Sequence, residues 1–509
     1  MTDRRTLERL IGSVLAPEVR VAGTVAAPNA IVPSRDYLER FPPALVVAFG
    51  RTPRGAVSPT PLLERLHATC AELGNSAPLV ACDLEQGAGL HFAEGTRFPP
   101  ALALASAASE EQGADALDWI RAAGECTGAE ARALGVDVVL APVADVNVER
   151  DNPIIAVRSF GDDARAAAER ALAYALGVHA GGAATCAKHF PGHGNTRRDS
   201  HLELPSVARD AATLRAVELE PFRRLVQHGV DSVMVAHLDV PALSGAPGLP
   251  TTLSHRVITE ILRGEMGFTG VVLSDAMNMG ALAAFEPRYA RALAAGCDAL
   301  LCPHDPWLAA EELSRAVGDG SLALERLAQA AERVEAWRAA RRTVKAGAWS
   351  ADWSRSLAAE LAFRALRISG PWPAPSSECA IRVLDPVPGC ETEEVRDQVE
   401  LLRARLNHIP GAFDVQPVVC EARAGRGRYG LTAEEIAALS PASGRTRLLL
   451  WFGSPQSVPE ALWAGASPTV LLALAPTPPC FAAAARALSE RTSSRALDAS
   501  LRRLPTRWG

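Results

Sequence analysis

No stretch of about 18 uninterrupted apolar residues occurs anywhere in the chain, so nothing in it reads as a membrane-spanning helix. Long runs of Lys or Arg are missing and the formal net charge is −6, which removes the electrostatic footprint of a protein that binds nucleic acid or an anionic membrane. There are no CxxC pairs. The ten cysteines are scattered, several within apolar runs such as AATCAKHF, the pattern of buried reduced thiols in a reducing compartment. The segment MTDRRTLERLIGSVLAPEVR is charged at Asp3, Arg4, Arg5, Glu8 and Arg9, and its apolar part is too short and interrupted for a signal-peptide core. A cytoplasmic location is the expectation. HExxH and other zinc-diagnostic His spacings are also lacking, so neither a metal nor another cofactor is expected.

What is present is a folded composition, 48% hydrophobic and 22% charged, over 509 residues, enough for a large domain and a smaller one. From about residue 43 to 340, short β-branched apolar runs alternate with longer segments of helical period, the pattern of repeated βα units around a parallel sheet. The runs include ALVVAFG at 44–50, PLVACDLE at 78–85, AATCAKHF at 183–190 and TGVVLSDAM at 269–277. Seven units are visible. No Gly-rich phosphate turn follows the first strand, which favours a closed TIM-type (β/α)8 barrel, complete or with a degenerate eighth unit, over a doubly wound open sheet. The expected division is a catalytic barrel at 1–345, a Trp/Ser/Pro-rich linker at 346–377 and a smaller α/β sandwich-like domain at 378–509 that carries no catalytic constellation.

Barrel enzymes place their chemistry at the C-terminal ends of the strands, and Asp83, Asp145, Lys188, His189, His237 and Asp275 all fall at the ends of the apolar runs. The densest cluster is AKHFPGHGNTRRDSHLELP at 187–205, a loop broken by Gly and Pro directly after a strand. Read from its residues alone, it is either a catalytic loop, a metal site built on His189, His193 and His201, or a solvated polar loop.

KHFPGHG followed by DSH resembles the signature of glycoside hydrolase family 3, in particular its β-N-acetylglucosaminidase branch. The segments LAPVADVNVERDNPIIAVRSFGDD, LPTTLSHRVITEILRGEMGFTGVVLSDAMNMGAL and DLEQGAG extend the resemblance over the whole expected barrel. It implies that Asp275 is the nucleophile of a retaining glycosidase. It also implies an unusual general acid/base, His201, oriented by Asp199. An imidazole titrating near pH 6.5 suits that role, and a neighbouring carboxylate favours its protonated form. The same resemblance gives Asp83, Arg158, Lys188 and His189 to the sugar hydroxyls, and His193 to shaping the loop. His237 matches a position near the pocket floor, where a satisfied core histidine is the competing reading. One departure stands out: where the branch usually carries an Arg eight residues after the Asp, this chain has His91, which leaves imidazole in place of a forked guanidinium at that edge of the substrate site. The partner implied is a small N-acetylglucosamine-containing carbohydrate such as a cell-wall fragment. Phosphate in place of water as the attacking group, and a different sugar, are the alternatives.

Overall fold

Apolar runs that are hydrophobic at every position, rather than at every second one, suit parallel strands covered on both faces. The computed structural model bears this out in eight parallel strands: β1 (Leu15–Ala16 and, past Pro17, Glu18–Ala22), β2 (Leu45–Phe49), β3 (Leu79–Cys82), β4 (Val138–Val139), β5 (Ala184–Phe190), β6 (Ser232–Val235), β7 (Val271–Ser274) and β8 (Leu300–Leu301). Each pairs in parallel with the next, as in Glu18↔Val47, Leu45↔Leu79, Ala81↔Val138, Val138↔Ala184, Ala187↔Val233 and Val235↔Ser274. A bridge between Leu273 and Ala299 continues the series, and Leu15↔Leu300 closes the ring. The described residues are 3–22, 29–52, 55–108, 115–149, 151–369, 382–383, 393–406, 413–420, 446–453, 469–473, 477–493 and 502–503.

The eighth unit is therefore complete. It is β1, preceded by helix α1 (Arg4–Val14) and joined on its outer side by the antiparallel strand Asn29–Ile31. Along each strand the apolar side chains alternate between two clusters: Leu45, Val47, Leu79, Ala81, Cys186, Met234, Val271 and Leu273 fill the inside, while Val46, Val80, Val233 and Val272 pack outward against the helices.

Helix α2 (Ala351–Arg364) and strand Arg367–Ser369 occupy much of the segment expected to be a linker, and residues 370–377 of that segment lie outside the described residues. The reason is packing: Leu357, Ala358 and Leu361 join the barrel's outer core, while Ala362 and Leu366 join a second one. That second core underlies a six-stranded sheet in the spatial order 382–383, 413–420, 446–453, 469–472, 367–369, 502–503, in which only the pair 469–472 and 367–369 runs antiparallel. Helices Glu393–Leu406 and Pro478–Ser493 bury Val399, Leu402, Phe481 and Leu488 with Leu448, Leu450 and Phe452 of the sheet, an α/β layering.

Cys70, Cys82, Cys126, Cys186, Cys297, Cys302 and Cys480 are free and buried, whereas Cys379 and Cys390 lie outside the described residues. No helix among the described residues is long and apolar enough to cross a membrane.

Candidate active site

A cavity of about 410 Å³ opens at the C-terminal ends of the barrel strands, a size at the lower end of the roughly 300–1,000 Å³ of ligand pockets. Its wall brings together Asp83, Arg158, Lys188, His189, His201 and Asp275, with Glu85 beside them. They come from β3, β5, β7 and two connecting segments, so residues far apart in sequence converge because the parallel strands all end at one rim.

On one side, Lys188 is almost wholly buried and donates from Nζ to Asp83 Oδ1 at 2.5 Å, with Glu85 Oε1 at 2.6 Å. Arg158 forks onto Glu85, Nε to Oε2 at 2.8 Å and Nη2 to Oε1 at 2.7 Å. Burial would raise the Glu85 carboxyl, but the Arg158 and Lys188 cations outweigh it and hold the group well below the usual carboxylate range. Burial would likewise lower the Lys188 ammonium, and Asp83 and Glu85 carry it above its ordinary value instead. Glu85, Lys188 and Arg158 are therefore charged at neutral pH. His189 is anchored by Nδ1 to Asp145 Oδ2 at 2.8 Å, which leaves Nε2 facing Arg158 Nη2 at 3.4 Å.

Asp275 directly follows β7. Its main-chain N–H donates to Val235 O at 2.9 Å, and its Oδ1 accepts from Ala276 N at 2.8 Å. Burial works against its charge, yet His189 and His237 together with the Ala276 N–H more than offset this, so the carboxyl titrates below its ordinary value and is an anion. On the same cavity, His201 Nδ1 donates to Asp199 Oδ1 at 2.8 Å, and the same oxygen accepts the His201 main-chain N–H at 2.8 Å. The Asp199 side chain is 1% exposed and that of His201 42%, so a buried carboxylate holds an accessible imidazole whose Nε2 is left for a ligand.

The loop bearing this pair is pinned at both ends. His193, buried, shares hydrogen bonds with Thr196 Oγ1 (Nδ1, 2.8 Å) and Ser200 Oγ (Nε2, 3.0 Å), and burial pushes its pKa down to about 4, which keeps it neutral. Gly280 N and Ala281 N, beyond Asp275, donate to His201 O and Ser200 O. A Cβ on Gly280 would lie 2.8 Å from His201 O, so only glycine lets the two loops close to this distance. The three histidines weighed as metal ligands are thus each committed to a different partner: His189 to Asp145, His193 to Thr196 and Ser200, His201 to Asp199.

Two expected substrate contacts are not brought to the cavity wall. His91 is buried against Phe49, ring centroids 5.7 Å apart, with Nδ1 accepting from Gly50 N at 3.2 Å. His237 is fully buried; Nε2 donates to Ala276 O at 3.0 Å and Nδ1 pairs with Thr252 Oγ1 at 2.6 Å, so it steadies the main chain next to Asp275. Sequence reasoning passed over Glu85 as a site residue, although its place two residues after Asp83 at a strand end was a usable signal. It also passed over Glu18 and Arg20, which line the cavity from β1.

Residues 60–336, more than half of the chain, match the glycosyl hydrolase family 3 N-terminal domain. A β-hexosaminidase of Xanthomonas euvesicatoria pv. vesicatoria is 36% identical over 303 residues, covering 59% of this chain and 86% of that protein. A β-N-acetylglucosaminidase/β-glucosidase of Cellulomonas fimi is 35% identical over 277 residues, covering 51% of this chain and 47% of that protein. Among solved structures, a family 3 β-N-acetylglucosaminidase from Paenibacillus sp. str. FPU-7 superposes with a TM-score of 0.75 at 25% identity, over 96% of this chain and 97% of that one.

Proposed function

The chain is a glycoside hydrolase that belongs to family 3, and on that premise we propose that it is a retaining exo-β-N-acetylglucosaminidase acting on cell-wall fragments in the cytoplasm. The observation that carries the reading is the asymmetric pair on one cavity: an anionic Asp275 and a His201 held through Nδ1 by a buried Asp199.

In the first step Asp275 attacks the anomeric carbon while His201 Nε2–H protonates the departing glycosidic oxygen. The leaving group departs and a glycosyl-enzyme ester remains. In the second step the now neutral His201 removes a proton from water, which displaces Asp275 with a second inversion, so configuration is retained. Asp199 keeps Nδ1 protonated and the ring oriented through both steps. The ion-paired Asp83, Lys188 and Arg158, with His189, offer the fixed donors and acceptors that terminal sugar hydroxyls require. His91 and His237 serve from behind, by holding main chain. We assign the chemistry to the barrel domain, residues 1–345, followed by the segment 346–377 and the smaller domain 378–509.

Turnover of an aryl N-acetyl-β-glucosaminide with and without inorganic phosphate tests this reading. Hydrolysis indifferent to phosphate is expected. Stimulation with release of a sugar 1-phosphate would make the protein a phosphorylase, and cleavage of the aryl β-glucoside alone would overturn the sugar assignment.

A further inference from the structure

The chain that carries Asp83 and Glu85 past the end of β3 runs into a loop, residues 86–98, whose two limbs lie against each other. Phe98 N donates to Gln86 O at 2.8 Å, and Gly89 N donates to Thr96 O at 2.9 Å. The limbs have no slack between them. A Cβ on Gly87 would lie 2.5 Å from Thr96 O, one on Gly89 2.6 Å from Arg97 N, and one on Gly95 2.6 Å from the Ala88 carbonyl carbon. A displacement of the far limb is therefore passed to the near one, which starts at Glu85.

Gln86 lines the catalytic cavity beside Glu85, and the proposed mechanism gives it no part. Arg97 Nε donates to its amide oxygen at 3.2 Å; a guanidinium can only donate, so the amide cannot turn over without losing that bond. This fixes where its NH2 group stands. That nitrogen has no hydrogen-bond partner among the described residues and is not sealed from solvent, so it remains an open donor in the cavity wall.

The far limb is held from behind by Glu130, which is wholly buried on the helix Asp115–Ala133. Glu130 Oε2 accepts from Thr96 N at 2.7 Å, and Oε1 accepts from Thr96 Oγ1 at 2.6 Å. The same Oε1 accepts the indole N–H of Trp349 at 2.9 Å. Trp349 lies on the chain that leaves the barrel for the layered domain, two residues before helix α2. One buried carboxylate thus ties that chain to the neighbour of Arg97.

We propose that Gln86 is a further specificity-determining residue of the terminal-sugar site. It donates from Nε2 to a hydroxyl oxygen of the sugar, while Glu130 and Trp349 are positioning residues that act on it by way of Thr96 and Arg97. The inference rests on the proposed reading of Asp83, Glu85, Arg158 and Lys188 as the seat of the terminal sugar.

The experiment measures KM and kcat of the full chain on an aryl N-acetyl-β-glucosaminide for Gln86→Met, Trp349→Phe and the double variant. KM does not depend on the fraction of folded enzyme, so partial misfolding leaves the reading intact. Gln86→Met keeps the length of the side chain and removes the donor; KM should rise roughly three- to tenfold, with kcat changed less than about twofold. Among analogues that each lack one ring hydroxyl, one should bind wild type and Gln86→Met alike. Trp349→Phe removes only the N–H on Glu130 and should raise KM about two- to threefold, but add nothing in the Gln86→Met background. An unchanged KM in Gln86→Met would overturn the sugar contact, and effects that multiply in the double variant would overturn the positioning. If the β-glucoside is cleaved and the N-acetylglucosaminide is not, the sugar reading fails by itself, and the same comparisons on the β-glucoside decide the role of Gln86.

Discussion

The Asp83–Glu85–Arg158–Lys188 cluster and the Asp199–His201 pair face one cavity, yet they are held by opposite means. The cluster sits mostly on strand ends, its charges paired with one another and largely buried. The pair sits on a loop, its imidazole exposed, kept in place by hydrogen bonds from His193 and from the loop beyond Asp275. In the proposed reaction a terminal sugar would meet a preformed mould, while the acid/base would reach it from a surface that also admits water and the departing group. That reading separates rigid binding from adjustable proton transfer in space.

The comparison breaks first at Asp275, the point both sides share. Asp275→Ala should lower kcat on the order of 10⁴-fold or more in steady-state assays, and near-normal turnover would remove the nucleophile assignment. On the loop side, His201→Ala should cost about 10²–10⁴-fold on a glycoside with a poor leaving group, and much less on one whose phenol leaves without protonation. An equal loss on both substrates would show that the imidazole does not act as the proton donor. On the cluster side, Glu85→Gln leaves Lys188 and Arg158 under-compensated in a buried place. About 3 kcal/mol of unfolding free energy should be lost in denaturant titrations, with a raised KM. No change in either would mean the ion pairs do not shape the mould.

The smallest effect concerns pH. His193 titrates at about 4 in the folded protein and near 6.5 in the unfolded chain, so the unfolded chain takes up the proton first. Its contribution is complete above about pH 6.5 and is lost as pH falls toward 4, up to ~3 kcal/mol. Unfolding free energy measured between about pH 7 and about pH 4.5 should fall less steeply in His193→Gln. An identical slope would detach His193 from the acid sensitivity of the loop.

Most of this architecture was legible in sequence because parallel strands buried on both faces leave continuous apolar runs, and barrel chemistry collects where those runs stop. The strand that escaped, β1, is broken by Pro17 and carries Glu18 and Arg20, so it lacks the apolar run that betrays the others. Those same charges face the cavity, which is why the strand looks unlike a strand. Glu85 was half hidden: its place two residues after Asp83 marks it as near the rim, but its importance comes from Arg158, 73 residues away in the chain, a partner that spacing alone cannot reveal. His91 shows the converse. A position matched in sequence sits behind the cavity wall, since its ring is spent on Gly50 and Phe49.

Helix α2 gives Leu357, Ala358 and Leu361 to the barrel's core and Ala362 to that of the layered domain. The boundary where chemistry stops is therefore not the boundary where packing stops. A barrel lifted out at residue 345 would not be a portable cassette: it would carry an oily flank where Leu357 and Leu361 used to lie, and the layered domain would lose the beam on which its own sheet is seated.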